Sequence, residues 1–277
     1  MLLAVLQGAS ELFPVSSLGH TVLVPALLHW PVDRSAPNFL AFVVALHLGT
    51  ALALLVFYRR DWSRIARSWL ASVGRGRLSD DADEKLAWLL IAGTVPVAIL
   101  GAFFERPVRA LFGSTALVAG FLVLNGLVMF AGERLRRNEG AGRPARPLPS
   151  LSWFDGAKVG FAQAAALLPG ISRSGASIVA GLLLGLTHDD AARYSFLLAT
   201  PVIGAAALFE LPQLFAPAAR TVLLEATLGG ILAGATAYAS VAFLTRYFHS
   251  NDLRPFGWYC LAFGITALAL VSMKVIS

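Results

Sequence analysis

The sequence predicts an all-α integral membrane protein with six transmembrane helices and two shorter re-entrant helix pairs, arranged as inverted-topology repeats. The first observation is composition: 57% of the 277 residues are hydrophobic and 14% are charged, against about 25% charged in an ordinary soluble domain. The second is a set of uncharged stretches of about 18 residues or more, enough to cross a hydrocarbon core of about 30 Å. The third is a pair of polar islands in shorter apolar segments, Gln7 to His20 and Leu167 to Ser177.

The first apolar segment is interrupted before it is long enough to span a membrane. Residues 2–13 would form a helix of roughly 18 Å, Pro14 breaks it, and residues 18–29 form a second short segment. Irregular backbone at membrane depth is tolerated where it is buried in protein or lines a wet cavity. The pattern therefore predicts a re-entrant pair, followed by an interfacial loop at 31–37.

Six longer apolar stretches predict the spans. They are residues 38–58, 86–104, 110–131, 191–209, 221–245 and 255–273, with a short turn at 104–109 and another pair of short segments at 157–168 and 174–186. The basic segment 59–85 opens with tryptophans between arginines, a pattern typical of an amphipathic interfacial helix.

A polar, proline-containing linker at 133–150 divides the single membrane domain into a first repeat, 1–132, and a second repeat, 151–277. Twelve of the 22 Lys and Arg residues lie in 59–85 and 133–150, so the positive-inside rule places both segments in the cytoplasm. We therefore attribute the net charge of +6 to membrane orientation, and we expect no nucleic-acid partner.

Three spans in each half invert the second half relative to the first. An offset of 156 residues places Gln7 on Gln163 and Ser16 on Ser172, which supports a duplication. Inverted repeats bring their broken helices together near the membrane midplane. We therefore expect the two polar islands to meet in one site.

The first island carries an acid or base beside hydroxyl groups. Gln7 and Glu11 are four residues apart and share a helix face. Ser16 and Ser17 precede a second helix, for which Ser16 is the expected N-cap. The N-terminus of a helix attracts anions, and His20, in the first turn of that helix, is expected to face the same anion.

The second island resembles a phosphate cradle. Hydroxyls, a guanidinium and backbone N–H groups together bind phosphate well, and glycines let the backbone approach a ligand. The residues concerned are Gly170, Ser172, Arg173, Ser174, Gly175 and Ser177. The alternative is that Arg173 pairs with Glu11 only to neutralise it, and the two roles are compatible.

Together the islands indicate hydrolysis of a phosphate group on a membrane-embedded substrate. A transporter that flips a polyprenyl-phosphate lipid is the competing class, because opposed broken helices are a transporter plan. A lipid phosphotransferase or kinase is a weaker alternative, since the sequence has no GxxxxGK[ST] loop. We interpret His47, in mid-span, as a packing or helix-bonding residue.

Two long motifs resemble those of the undecaprenyl-diphosphate phosphatase family, of the bacitracin-resistance type. The first reads QGASE followed by LFPVSSLGH, and the second reads PGISRSGAS. The resemblance extends over essentially the whole chain and includes the stretch YSFLLATP, Tyr194 to Pro201. It implies dephosphorylation of undecaprenyl diphosphate to the monophosphate carrier lipid of cell-wall synthesis, in the bacterial inner membrane, with a site opening to the outer side and a link to bacitracin resistance.

The resemblance also implies roles for individual residues. By motif position, the catalytic residues are Glu11, Ser17, His20 and Arg173, and the phosphate-binding residues are Ser16, Ser172, Ser174, Gly175 and Ser177. A divalent cation, magnesium or calcium, is implied as cofactor, with Gln7 and Glu11 as its ligands. Many relatives have Glu where this chain has Gln7, so we expect weaker cation binding here. His20, Ser17 and an activated water remain open as the attacking group.

The partners implied are a polyprenyl diphosphate lipid and the bilayer. A homodimer is a further expectation, because the small residues at Gly229-Gly230 and Gly234 suit close packing against a partner helix.

Overall fold

The computed structural model describes residues 1–30, 32, 36–111, 113–140, 145–215 and 217–276. The predicted interfacial loop at 31–37 therefore falls mostly outside the described residues.

Eleven α-helices make up most of the described chain, which confirms the all-α class. They are α1 (Leu2–Leu12), α2 (Ser17–Leu27), α3 (Pro37–Phe57), α4 (Arg59–Arg75), α5 (Ala82–Leu111), α6 (Thr115–Gly140), α7 (Trp153–Ala164), α8 (Arg173–Leu183), α9 (His188–Phe209), α10 (Leu223–Tyr247) and α11 (Arg254–Ser272). Short 3-10 turns lie at Leu148–Ser150, Ala165–Leu167, Leu211–Phe215 and Pro217–Val222.

Six of these helices are long and apolar enough to cross a membrane: α3, α5, α6, α9, α10 and α11. The predicted number of spans is confirmed, and the chain is a multi-pass membrane protein. The predicted turn at 104–109 is wrong, because α5 continues without a break to Leu111. Similarly, α6 extends to Gly140, into the first part of the predicted linker. Charged Glu and Arg are good helix formers, so polarity at the end of a span does not end the helix.

The basic segment after the first span forms the amphipathic helix α4. Ile65 and Ser72 face the protein, whereas most of its arginines are exposed. Ser72 accepts a hydrogen bond from Nε1 of Trp88 on α5 (3.0 Å). The helix is therefore anchored on one face and charged on the other, as its pattern predicts.

The spans pack in pairs around the short helices. α3 lies along α10 and α6 along α11, while α1 packs on α10 and α7 packs on α5. α3 and α10 approach each other closely because glycine has no side chain: a Cβ at Gly49 would lie 2.0 Å from the carbonyl oxygen of Gly230. Gly229 and Gly234 also face α3. These glycines are thus used inside the chain, and the expectation that they pack against a partner subunit is wrong.

Serine caps begin the second helix of each short pair. Ser16 Oγ accepts from the Gly19 N–H, and Ser172 Oγ accepts from the Gly175 N–H, both at 3.2 Å. The expected N-cap role of Ser16 is confirmed. Ser16 has φ +67°, a value that residues other than glycine seldom adopt. Residues with such strained backbone are found mainly at functional sites.

Candidate active site

The two breaks lie against each other, as predicted from the sequence. Ser174 Oγ donates to the Phe13 carbonyl oxygen at 3.0 Å. Asn125, on α6, donates through Nδ2 to the Pro14 carbonyl oxygen and accepts through Oδ1 from the Ser172 N–H, each at 3.0 Å. A buried side chain of a third helix therefore joins the two polar islands.

Glu11 lies at the centre of the first break. Its Oε2 atom accepts hydrogen bonds from Ser17 Oγ at 2.5 Å and from Gln7 Nε2 at 2.8 Å. The Glu11 side chain is only 9% exposed. A carboxylate this close to a hydroxyl is positioned to take its proton.

Arg173 reaches the same carboxylate from the second break. Its Nη2 atom lies 4.0 Å from Glu11 Oε1, and its side chain is 9% exposed. Nη1 donates to the Ser195 carbonyl oxygen at 3.4 Å, but Nε and Nη2 have no hydrogen-bond acceptor in the described part of the chain. A buried cation with two unpartnered donor nitrogens is costly, so Arg173 is well suited to a bound anion.

These residues line a cavity of about 220 Å³, room for several water molecules at about 30 Å³ each. Its polar lining residues are Glu11, Ser16, Ser17, His47, Gln163, Ser172 and Arg173, and its apolar wall includes Val97, Val202, Ile203 and Ala206. Gln163, fully buried, donates to the Gly93 carbonyl oxygen at 2.8 Å, while its Oε1 atom has no partner among the described residues. The cavity thus offers both donors and acceptors beside an apolar wall.

Two larger cavities lie elsewhere. One, of about 510 Å³, is polar and lies between the start of α9 and the α10–α11 connection. The other, of about 490 Å³, is mostly apolar and lies between α3 and α10. Neither is lined by Glu11 or Arg173, so size does not identify the site here; the convergence of charged and hydroxyl groups does.

His20 lies beside the cavity rather than in its lining. Its Nδ1 atom is 2.7 Å from the Ser16 carbonyl oxygen and its Nε2 atom is 2.7 Å from Tyr259 Oη. The ring stacks on Tyr259 and Phe263 of α11. Both ring nitrogens therefore have partners other than Glu11 and Arg173, and the catalytic role assigned to His20 stays a prediction.

The predicted phosphate-binding residues divide into two groups. Ser16 and Ser172 line the cavity. Ser174 bonds to Phe13, and Ser177 Oγ lies 2.7 Å from Ser195 Oγ and donates to the Arg173 carbonyl oxygen at 2.8 Å. Gly175 gives its N–H to the Ser172 cap. Ser174, Gly175 and Ser177 therefore support the backbone around the cavity and do not line it.

Sequence reasoning missed two residues of the site. His47 lines the cavity with Nε2 3.3 Å from Gln7 Nε2 and 4.0 Å from Glu11 Oε2, although its Nδ1 also makes the expected bond within its helix, to the Val43 carbonyl oxygen at 2.9 Å. Asn125 joins the breaks. Their only signal was polarity within an apolar span, which by itself favours a functional hypothesis.

The cavity offers few ligands for the implied divalent cation. The described residues contain no group of three or more His, Cys, Asp or Glu side chains arranged to hold a metal ion. Glu11 is the one carboxylate lining the cavity. Magnesium is commonly bound by one or two carboxylates together with substrate phosphates and water. The residues therefore fit a cation that the phosphates of a substrate help to hold.

Comparisons with known proteins show the family to which the chain belongs. Residues 1–266 match the family described as bacitracin resistance protein BacA. The chain is 49% identical to undecaprenyl-diphosphatase 2 of Chromobacterium violaceum over 274 residues (97% of this chain, 96% of the relative) and 48% identical to undecaprenyl-diphosphatase of Acidiphilium cryptum over 277 residues (98% and 96%). It is 45% identical to undecaprenyl-diphosphatase of Mycolicibacterium paratuberculosis over 290 residues (97% and 95%). With a match of this extent, the chain belongs to the BacA family of bacitracin resistance proteins.

Proposed function

We propose that this chain is an undecaprenyl-diphosphate phosphatase, which hydrolyses the terminal phosphate of undecaprenyl diphosphate to give undecaprenyl phosphate and inorganic phosphate. The observation that carries the proposal is the buried Arg173, whose Nε and Nη2 atoms find no acceptor among the described residues, beside the hydrogen-bonded pair of Ser17 and Glu11. The printed names of the similar proteins support the choice of substrate.

The geometry favours Ser17 as the attacking group. Its Oγ atom attacks the terminal phosphorus while its proton passes to Glu11 Oε2, and the bond from that phosphorus to the bridging oxygen breaks. Undecaprenyl phosphate leaves with the bond's electron pair. Glu11 passes its proton to the departing phosphate and is ionised again. It then takes a proton from water, whose oxygen attacks the phosphoserine phosphorus; the bond from that phosphorus to Ser17 Oγ breaks, Oγ takes the proton from Glu11, and inorganic phosphate leaves.

The second island supplies charge stabilisation. Arg173 donates to the equatorial oxygens of the phosphoryl group, where charge is spread in the transition state. Because the site is buried, such preorganised donors act in a low-dielectric setting, where they are worth most. The apolar wall of the cavity suits the first isoprene units of the lipid.

A magnesium or calcium ion remains part of the proposal. Glu11 and the substrate's phosphate oxygens would hold it, and it would supply charge neutralisation at the diphosphate. The single carboxylate of the cavity supports a cation that arrives with the substrate.

We infer that the short helices form two re-entrant pairs in inverted repeats. Two features support this. Ser16 and Ser172 cap equivalent helices in the same way, at the offset of 156 residues. The packing is also reciprocal, since α1 lies on the second span of the second half and α7 lies on the second span of the first half.

The proposed setting is the bacterial inner membrane, with the site opening to the outer side and the product returning to cell-wall synthesis. The exposed arginines of α4 support a cytoplasmic position for that helix. Because one span, α3, separates α4 from the first short pair, that pair enters the membrane from the outer side. The family's description supports a part in bacitracin resistance. A homodimer remains a proposal without a surface assigned to it.

The test is phosphate release from undecaprenyl diphosphate by the purified protein in detergent, with and without magnesium or calcium. Ser17→Ala, Glu11→Gln and Arg173→Ala should each lower turnover at least a hundredfold, as expected for a missing nucleophile, base or charge stabiliser. Ser10→Ala is the matched control, because Ser10 lies on α1 but bonds only to its own helix at Leu6 (2.6 Å).

Two results would contradict the proposal. Absence of release by the folded wild type would remove the phosphatase and favour the lipid transporter. Full turnover by Ser17→Ala would remove Ser17 as the attacking group, and a rapid-quench search for phosphoserine by mass spectrometry checks that step directly.

A further inference from the structure

Glu11, the proposed base, belongs to a chain of hydrogen bonds that begins on another helix. From α3, His47 contacts Gln7; Gln7 contacts Glu11; and Glu11 contacts Ser17. The His47 side chain is 21% exposed and lines the cavity. What this chain does depends on which of its atoms carry hydrogen.

The hydrogen positions follow from the partners. The Nδ1 atom of His47 lies 2.9 Å from the Val43 carbonyl oxygen, which only accepts, so Nδ1 carries a hydrogen. A neutral imidazole with a hydrogen on Nδ1 is an acceptor at Nε2. Gln7 therefore points its NH₂ group at His47, at 3.3 Å.

The contact with the Glu11 carboxylate requires the same orientation of the Gln7 amide, with its NH₂ group toward Glu11. Ionised Glu11 is acceptor-only, and its Oε2 atom lies 2.8 Å from the Gln7 side-chain nitrogen. A flipped amide would bring its oxygen against the carboxylate oxygen. The two acceptors thus fix Gln7 as a double donor.

We propose that His47 is a positioning residue for the phosphatase reaction: its Nε2 atom accepts from Gln7 and holds Gln7 as a hydrogen-bond donor to Glu11. This inference rests on the proposed function and extends it. The bond from Gln7 fixes Oε2 as the oxygen that faces Ser17, while Oε1 faces Arg173. Gln7 then presents N–H groups to Glu11 and His47. Its side-chain oxygen, predicted as a cation ligand, faces neither of them.

Loss of this arrangement should affect catalysis more than binding. Without an acceptor at position 47, the Gln7 amide is free to rotate and Glu11 loses an oriented donor. Residues that orient an active group through a second hydrogen bond typically contribute about 10- to 100-fold. Arg173 and Ser172, which face the phosphates, are untouched.

The test compares two substitutions in the full chain. His47→Leu removes the acceptor and should lower kcat about 10- to 100-fold with KM changed less than threefold. His47→Gln places an amide oxygen near the position of Nε2 and should restore kcat to within about threefold of wild type. Thr50→Val is the matched control, because Thr50 is buried on the same helix and, within the described part of the chain, its hydroxyl bonds to the Leu46 carbonyl oxygen of its own helix alone.

Several outcomes would overturn the inference. One is a kcat for His47→Leu equal to that of Thr50→Val; another is a failure of His47→Gln to restore kcat although its thermal unfolding matches the wild type. A rise in KM alone in His47→Leu would make His47 a substrate contact instead.

Nitrogen-15 NMR of histidine-labelled protein supplies a readout independent of activity. At neutral pH the signals lost in His47→Gln should report a hydrogen on Nδ1 and a lone pair on Nε2, and the opposite tautomer would refute the chain. If the wild type releases no phosphate, the phosphatase proposal fails while the NMR result still decides how His47 and Gln7 are bonded.

Discussion

Replacing Asn125 with leucine should separate the two breaks, since this one side chain bonds to both. The change removes the Nδ2 donor to the Pro14 carbonyl oxygen and the acceptor for the Ser172 N–H, each bond being 3.0 Å long at a side chain only 2% exposed. The Pro14 carbonyl oxygen then keeps only a long contact from Cys260 Sγ, at 3.9 Å. A buried polar group left without a partner costs about 1–3 kcal/mol. Two such groups give an expected loss of about 2–6 kcal/mol in the free energy of unfolding.

The assay is reversible chemical unfolding in detergent, followed by phosphate release from the fraction that remains folded. Asn125→Asp keeps the acceptor for Ser172 and loses the donor, so its destabilisation should lie between wild type and Asn125→Leu. Thr94→Val is the control, because its hydroxyl bonds only to the Leu90 carbonyl oxygen in the same helix, and its expected effect is about 1 kcal/mol or less.

The reasoning would be refuted if Asn125→Leu unfolded within about 1 kcal/mol of the control. It would equally fail if the leucine variant were destabilised but retained wild-type turnover, because the breaks would then hold their positions without this side chain.

Three further predictions concern charge, pH and packing. Gln7→Glu should place a second carboxylate beside Glu11, so calcium should raise the melting temperature of that variant more than that of wild type. An equal rise in melting temperature for the two proteins would contradict this prediction. Asp155 is the buried third residue of α7 and bonds to the backbone N–H of the N-cap, Ser152. Burial opposes its charge, but hydrogen bonds from Ser152, Arg146 and Lys158 lower its pKa to about 2. The difference in stability between wild type and Asp155→Asn should therefore be full above about pH 4 and should close as the pH falls toward 2. Gly49→Ala should cost about 1–3 kcal/mol of unfolding free energy by overpacking against α10, whereas Gly120→Ala, with open space at its Cβ, should be neutral or stabilising.

Hydropathy and helix breakers were sufficient to predict the six spans and both interruptions, because length and proline act locally. They also predicted that Glu11, Ser17 and Arg173 lie together, since a predicted inverted repeat brings the two breaks to one place. The predicted turn at the end of α5 was wrong because charged residues at the edge of a span are compatible with an α-helix. Helix formation there depends on helix propensity rather than on hydropathy.

The direction of each side chain was not predictable from the motif. His20 and Ser174 belong to the same polar islands as Ser17 and Arg173, yet one turns to α11 and the other to the Phe13 carbonyl oxygen. His47 was interpreted from its own helix alone, where its Nδ1 bond is indeed made. Its second nitrogen contacts a residue 40 positions away, and such a contact depends on helix rotation, which an apolar sequence specifies poorly.

The bond between Ser174 and the Phe13 carbonyl oxygen joins residues 161 positions apart, and this has a consequence for biogenesis. In a chain made without α8, the proposed base Glu11 and the Ser17 hydroxyl would lack Arg173, the cation proposed to bind the phosphates. Because the two halves together supply these groups, we expect a chain that ends before α8 to show no hydrolysis of lipid diphosphates.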